Sequence, residues 1–138
     1  LESARPMRKP MQNSDELLFR QIHPSFMHDG VPSRSRFMPQ PRDHGLMSVD
    51  RSTVTSAAAS YTLYTSTGKA SAAVFGISVG ECNAENLVCI EDALAATADG
   101  PANPAHALVD YTTIPEKEWR LVSMRLSAKA ISRGQLHP

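Results

Sequence analysis

Cysteine is scarce in this chain, two in 138 residues (Cys82 and Cys89), which excludes the disulfide framework of a small secreted scaffold. Long apolar runs are missing too: none approaches the ~20 residues needed to span a bilayer. Net charge is also absent. Fourteen basic residues cancel fourteen acidic ones, so nothing pulls the chain as a whole toward nucleic acid or an anionic membrane. The opening stretch "LESARPMRKPMQNSDE" has no hydrophobic segment and does not read as a secretory signal. Together these absences predict a cytoplasmic protein with reduced thiols, no membrane partner, and no nucleic acid partner.

What the chain does contain is an ordinary globular balance, with 41% apolar and 20% charged residues. That is enough for one domain with a true core. Residues 1–15 read as a disordered polar tail, with Met11 a candidate natural start, and 16–138 as a single domain. The charge is unevenly spread: Glu81 to Asp110 holds six acidic residues and no Lys or Arg.

Along the chain, 16–23 reads as a strand ended by Pro24. The span 24–41 holds four prolines and Gly30, which excludes helix and favours turns and short extended pieces. "GLMSVDR" (45–51) reads as a second strand. A helix is expected after Ser52 or Thr53, with Val54, Ala57, Tyr61 and Tyr64 on one face and Gly68 at its end. "SAAVFGISVGE" (71–81) is the strongest strand, and Gly76 and Gly80 on one of its faces leave room for close packing. "NLVCI" (86–90) and "HALVDY" (106–111) add strands around a loop at 96–105. Thr113 and Glu116 form a T-x-x-E capping box for a C-terminal helix running to about Arg133. That helix carries two nearly opposite apolar stripes, Trp119-Val122-Leu126-Ala130 and Leu121-Met124-Ala128-Ile131. The order predicts an α+β fold: a mixed or mostly antiparallel sheet and about two helices, the longer one C-terminal.

The first strand raises the sharpest question, because Arg20 shares a face with Leu18 and Ile22. Such a guanidinium snorkels, pairs with a buried acid, or binds an anion. Asp50, with Ser52 and Thr53, reads as the start of the following helix. The five histidines show no H-E-x-x-H spacing and the cysteines stand seven apart, so no metal site is expected. There is no G-x-S-x-G, no phosphate-binding P-loop and no G-x-G-x-x-G. Glu81 beside Cys82 raises a thiol pKa and lowers its reactivity.

The succession "LFRQIHP", Gly30, "SRSRF", "LMSVDR", "AAASYTLY" and "AAVFGISVGE" resembles, in element order over residues 17–81, the front half of an ADP-ribosyltransferase-type core. The resemblance implies an NAD-linked enzyme. Arg20 or His23 would hold the pyrophosphate or ribose, Ser33 and Ser35 would support the nicotinamide pocket, and Tyr61 would face the ring. The family's late-strand glutamate, in an E-x-E or Q-x-E setting, would have Glu81 or Asp110 as its stand-in. "RQIHP", "PSRSRFMP" and "DHGLMSVDR" also resemble a group of small uncharacterised bacterial proteins with the pattern R-Q-I-H-P, P-S-x-x-x-F-x-P, D-x-x-x-L-S-V-D-R, with Met47 here in place of leucine. That likeness implies a setting on mobile DNA beside toxin or defence genes. The absence of a complete catalytic constellation, the acidic stretch 81–110 and the two-striped C-terminal helix favour a binding or accessory protein, immunity- or antitoxin-like, without a cofactor. Its protein partner, or a second copy, would cover Trp119 or Met124 on the C-terminal helix.

Overall fold

The computed structural model describes residues 8–138. Strand β1 is Leu17–Ile22, β2 Met27–His28, β3 Val31–Pro32 and β4 Leu46–Arg51. Helix α1 spans Ala57–Ser66, β5 Ala73–Ser78, α2 Val79–Ala84, β6 Val88–Glu91, β7 His106–Asp110 and α3 Trp119–Arg133. Five strands form a sheet in the order β5-β1-β4-β7-β6, and every neighbouring pair is antiparallel. The fold is α+β as expected, with three α-helices among the described residues rather than about two.

Alternation along the strands divides the sheet into an apolar and a mixed face. Leu18, Ile22, Met47, Val49, Phe75, Ile77 and Val109 are buried on one face in a single cluster with Val122, Leu126 and Ala130 of α3. The first apolar stripe of the C-terminal helix is therefore the core stripe. The opposite face is mixed: it carries Gln21, Ser48, Asp50 and His106 beside the buried apolar Phe19, Val74 and Leu108, and α1 covers it only in part.

Both sheet edges are capped by the chain ends, which blocks pairing with another molecule there. The Met11 amide donates to Cys89 O at 2.8 Å and the Glu91 amide to Lys9 O at 2.9 Å. On the far edge the Val74 amide donates to His137 O at 2.6 Å and the Leu136 amide to Val74 O at 2.9 Å. This corrects the expected tail over 1–15. Residues 1–7 lie outside the described residues, but Lys9 to Met11 lie along β6 and Met11 is buried. Gly76 supplies the close packing anticipated for it, since a Cβ there would stand 2.8 Å from the Leu136 side chain.

Several boundaries differ from the sequence reading, each for a local reason. Helix α1 starts at Ala57 because Ser56, not Ser52 or Thr53, caps it by accepting from the Ala59 amide at 3.0 Å. The strand expected to 81 stops at Ser78, where Ser78 and Glu81 form a reciprocal capping box that opens α2. Thr113 and Glu116 do not form one: the Thr113 hydroxyl donates to Asn86 O at 2.7 Å, and a 3-10 turn at Glu116–Glu118 precedes α3. Asp29 and Gly30, both at positive φ, turn the short β2-β3 hairpin as an Asp-Gly pair does. Gly134 ends α3 as expected, its amide donating to Ala130 O.

Candidate functional site

A concavity of about 670 Å³ opens between α1, strands β1 and β4, and the loop around residues 94–103. Its floor lies where the β1-β4 ladder ends: the two strands pair only at Leu18↔Arg51 and Phe19↔Asp50. A chain of hydrogen bonds runs across the mixed face of the sheet. The Ser71 hydroxyl donates to Gln21 Oε1 at 2.8 Å, and Gln21 Nε2 donates to Ser60 Oγ at 2.9 Å. Ser60 Oγ donates in turn to Asp50 Oδ2 at 2.6 Å, while Asn103 Nδ2 donates to Asp50 Oδ1 at 2.9 Å. Ser60 is the fully buried residue of α1, so a polar contact helps to fasten this helix to the sheet.

Asp50 and His106 are direct cross-strand partners in the β4-β7 register, and both line the cleft. His106 Nδ1 lies 3.0 Å from Asp92 Oδ2, and Arg8 Nε donates to Asp92 Oδ1 at 3.0 Å. An ionised carboxylate only accepts, which puts a proton on Nδ1. Tyr64 and Lys69 form the opposite wall, with the Lys69 ammonium 5.3 Å from the Tyr64 ring centroid. A smaller hollow of about 340 Å³ lies beside α2 and α3. Ion pairs are built into that region, Glu85 with Arg125 and Glu81 with Arg133.

Arg20 is engaged by backbone carbonyls and, among the described residues, by no acid. Its Nε donates to Arg36 O at 2.9 Å and its Nη1 to Ser48 O at 3.0 Å. The side chain thus bridges the opening between β1 and β4. Burial, and then the Arg36 guanidinium, lower its pKa, and Asp43 opposes them. Gln21, the next residue, turns to α1 through Ser60 while Arg20 turns to Arg36, so Tyr61 is not gathered with Arg20.

The other residues implied for NAD also lie apart. His23 Nδ1 accepts from the Ser25 amide and caps the 3-10 turn Pro24–Phe26. Ser33 and Ser35 have their hydroxyls 3.5 Å apart, in the segment that follows the hairpin. Tyr61 packs on the His137 ring, centroids 4.9 Å apart. Glu81 sits in α2, not at a strand end, and is held by Arg133. Burial opposes its ionisation, but Arg133 and the Ser78 amide prevail and lower its pKa. Asp110 Oδ1 accepts from the Thr112 amide and hydroxyl in a local turn. The chain's E-x-E triplet, Glu116-Lys117-Glu118, lies in the exposed turn before α3, not on a late strand.

The two residues expected at a partner surface divide. Trp119 is half-buried: its Nε1 donates to Tyr111 O at 3.2 Å and its ring meets Tyr111 edge-on. Met124 is 37% exposed, in line with Leu121 at 48% and Ile131 at 37%. Cys82 is buried, and its hydrogen bond with Cys89, followed by burial, raises its thiol pKa well above the ordinary value. That agrees with an unreactive cysteine.

Asp50, Asn103, His106 and Tyr64 are the cleft residues sequence reasoning missed. Asp50 caps no helix; both its oxygens are committed to Ser60 and Asn103. The strand alternation that separates Asp50 from Arg51 was a usable signal, but the pairing of Asp50 with His106 depends on a register 56 residues apart. A buried acid was missed as well. Glu16 accepts from Arg51 Nε and Nη2, both at 3.1 Å, and from the Thr53 hydroxyl at 2.6 Å. Among the described residues no group of three or more His, Cys, Asp or Glu side chains is placed to hold a metal, and no helix is long and apolar enough to cross a membrane. No protein-family model, curated protein or solved structure matches this chain, so its functional reading rests on its own geometry.

Proposed function

We propose that this chain is a small binding or accessory protein, immunity- or antitoxin-like in kind, that engages an acidic protein surface through the outer face of α3. The observation that carries this reading is the second apolar stripe. Leu121, Met124 and Ile131 fall at i, i+3 and i+10 on one helix face and are 48%, 37% and 37% exposed. A helix whose inner stripe already fills the core gains nothing within the monomer from an apolar outer stripe.

Charge selects the kind of partner. Residues 119–133 carry Arg120, Arg125, Lys129 and Arg133 and no acid. Arg125 and Arg133 are neutralised by Glu85 and Glu81, whereas Arg120 and Lys129 have no ion pair among the described residues. Two copies apposed face to face on α3 would bring like charges together, so an acidic partner is favoured over a symmetric dimer. The NAD-linked transferase reading has no comparable support, because the side chains it needs are engaged in separate local structures.

A photo-crosslinker at position 124, used in the native host, captures the partner for identification, and the purified pair is then titrated. Leu121→Asp and Arg120→Glu should each weaken binding about tenfold or more, with the folded state unchanged. Light scattering that finds a dimer abolished by Leu121→Asp would replace the acidic partner with a second copy. A monomer whose identified partner binds both variants as tightly as wild type would end the proposal.

A further inference from the structure

The cleft beside α1 plays no part in docking through α3, which lies across the sheet from it. Its centre is Asp50, a half-buried strand carboxylate whose bonds come from two neutral groups, Ser60 and Asn103. No cation stands within ion-pair distance of it among the described residues. Of the other partly or fully buried carboxylates, Glu16 has Arg51, Glu81 has Arg133, Glu85 has Arg125 and Asp92 has Arg8, while Asp43 and Asp110 also take neutral donors but within local turns that line no cleft. An ionised carboxylate offers about four acceptor sites, so neutral donors leave both its charge and part of its accepting capacity unmet.

The cations of the cleft do not fill that role. Arg20 directs Nε and Nη1 at backbone carbonyls, and Lys69 is exposed with its ammonium over the Tyr64 ring. That placement also shows that the Tyr64 face accepts an ammonium, as aromatic rings do. The volume of about 670 Å³ falls within the few hundred to about 1,000 Å³ of small-molecule sites. We infer that the cleft binds a small organic cation bearing N–H donors, an amine or a guanidinium, with its charged group on Asp50 and its body along Tyr64. Asn103 and Ser60 are positioning residues that fix the carboxylate, and His106, opposite Asp50 in register, flanks the charged end.

The test uses agmatine as the probe, titrated into the full chain and followed by amide chemical shifts. Shifts are expected at Asp50, Asn103, His106 and Tyr64, and the affinity should fall about tenfold or more in Asp50→Asn. It should also weaken as salt rises from about 0.01 to 1 M, which shortens the screening length from about 30 to 3 Å. If Asp50→Asn does not fold, Tyr64→Leu and the salt series carry the test in its place. Saturation at these four amides that ignores salt, tolerates Asp50→Asn, or is matched by the neutral polyol ribose overturns the inference, as does the absence of any shift. Leu121→Asp leaves this titration unchanged, so the result stands apart from docking on α3.

Discussion

The Arg20 guanidinium donates to the Ser48 carbonyl at 3.0 Å across the point where β1 and β4 part. One side chain thereby does locally what the ladder no longer does: it satisfies a strand carbonyl that has lost its neighbour. Its second bond, to Arg36 O, ties the Pro-rich segment to the same sheet. A guanidinium suits this position because its donors point in fixed, divergent directions and it stays charged despite burial.

Arg20→Ala should therefore lower stability by about 2–4 kcal/mol, the scale of two charge-assisted bonds lost with their acceptors left unpaired. Arg20→Lys should recover only part of this, since one ammonium does not reproduce the fork. Denaturant midpoints measure both. A change in Arg20→Ala below about 0.5 kcal/mol, the range of an ordinary surface substitution, would show that the two carbonyls find other partners.

Glu16 predicts an acid limb in the stability curve. Burial opposes its ionisation, but the hydrogen bonds from Arg51 and Thr53 outweigh that and hold its pKa below the ordinary value. A carboxyl depressed in the folded state stabilises fully above its unfolded pKa of about 4.3, and that contribution is lost as pH falls through the lower folded value. Glu81 is shifted the same way and adds to the limb. Glu16→Gln should cost about 3 kcal/mol at neutral pH by breaking a buried pair, and its stability should fall less steeply in acid than that of wild type. Parallel acid limbs in the two proteins would mean that Glu16 contributes no such linkage.

At Gly76, a new methyl would meet the Leu136 side chain at 2.8 Å. Gly76→Ala should cost about 1–3 kcal/mol, as overpacking does. It should also speed hydrogen exchange at the Val74 amide, which the same C-terminal segment protects. The pair Gly76→Ala with Leu136→Ala should restore part of the loss. Unchanged exchange in the single variant would show that Leu136 moves aside without releasing the edge.

Much of the fold was legible because its signals are local. Period-two alternation marked β1, β4, β5 and β7, and the two apolar stripes of α3 were visible, though not which of them the core would bury. The errors at helix starts are also local in origin. Several Ser, Thr and Asp residues precede α1, and only packing chose Ser56; Thr113 had a competing acceptor in Asn86 O, far along the chain.

The sequence by itself determined the α+β class, the core stripes and the lack of a membrane-spanning helix, since these follow from composition and from periods of 2 and 3.6 residues. Tertiary structure alone decided what the polar groups do. For Arg20 the sequence left snorkelling, an acid partner and an anion open, and a break in the ladder gave it two carbonyls. Asp50 looked like a helix start until β7 set His106 opposite it and Asn103 and Ser60 bound its oxygens. Burial needs only an apolar side chain and a period; a hydrogen bond needs one partner at one distance and angle, and strand register supplies that from residues far apart in the chain.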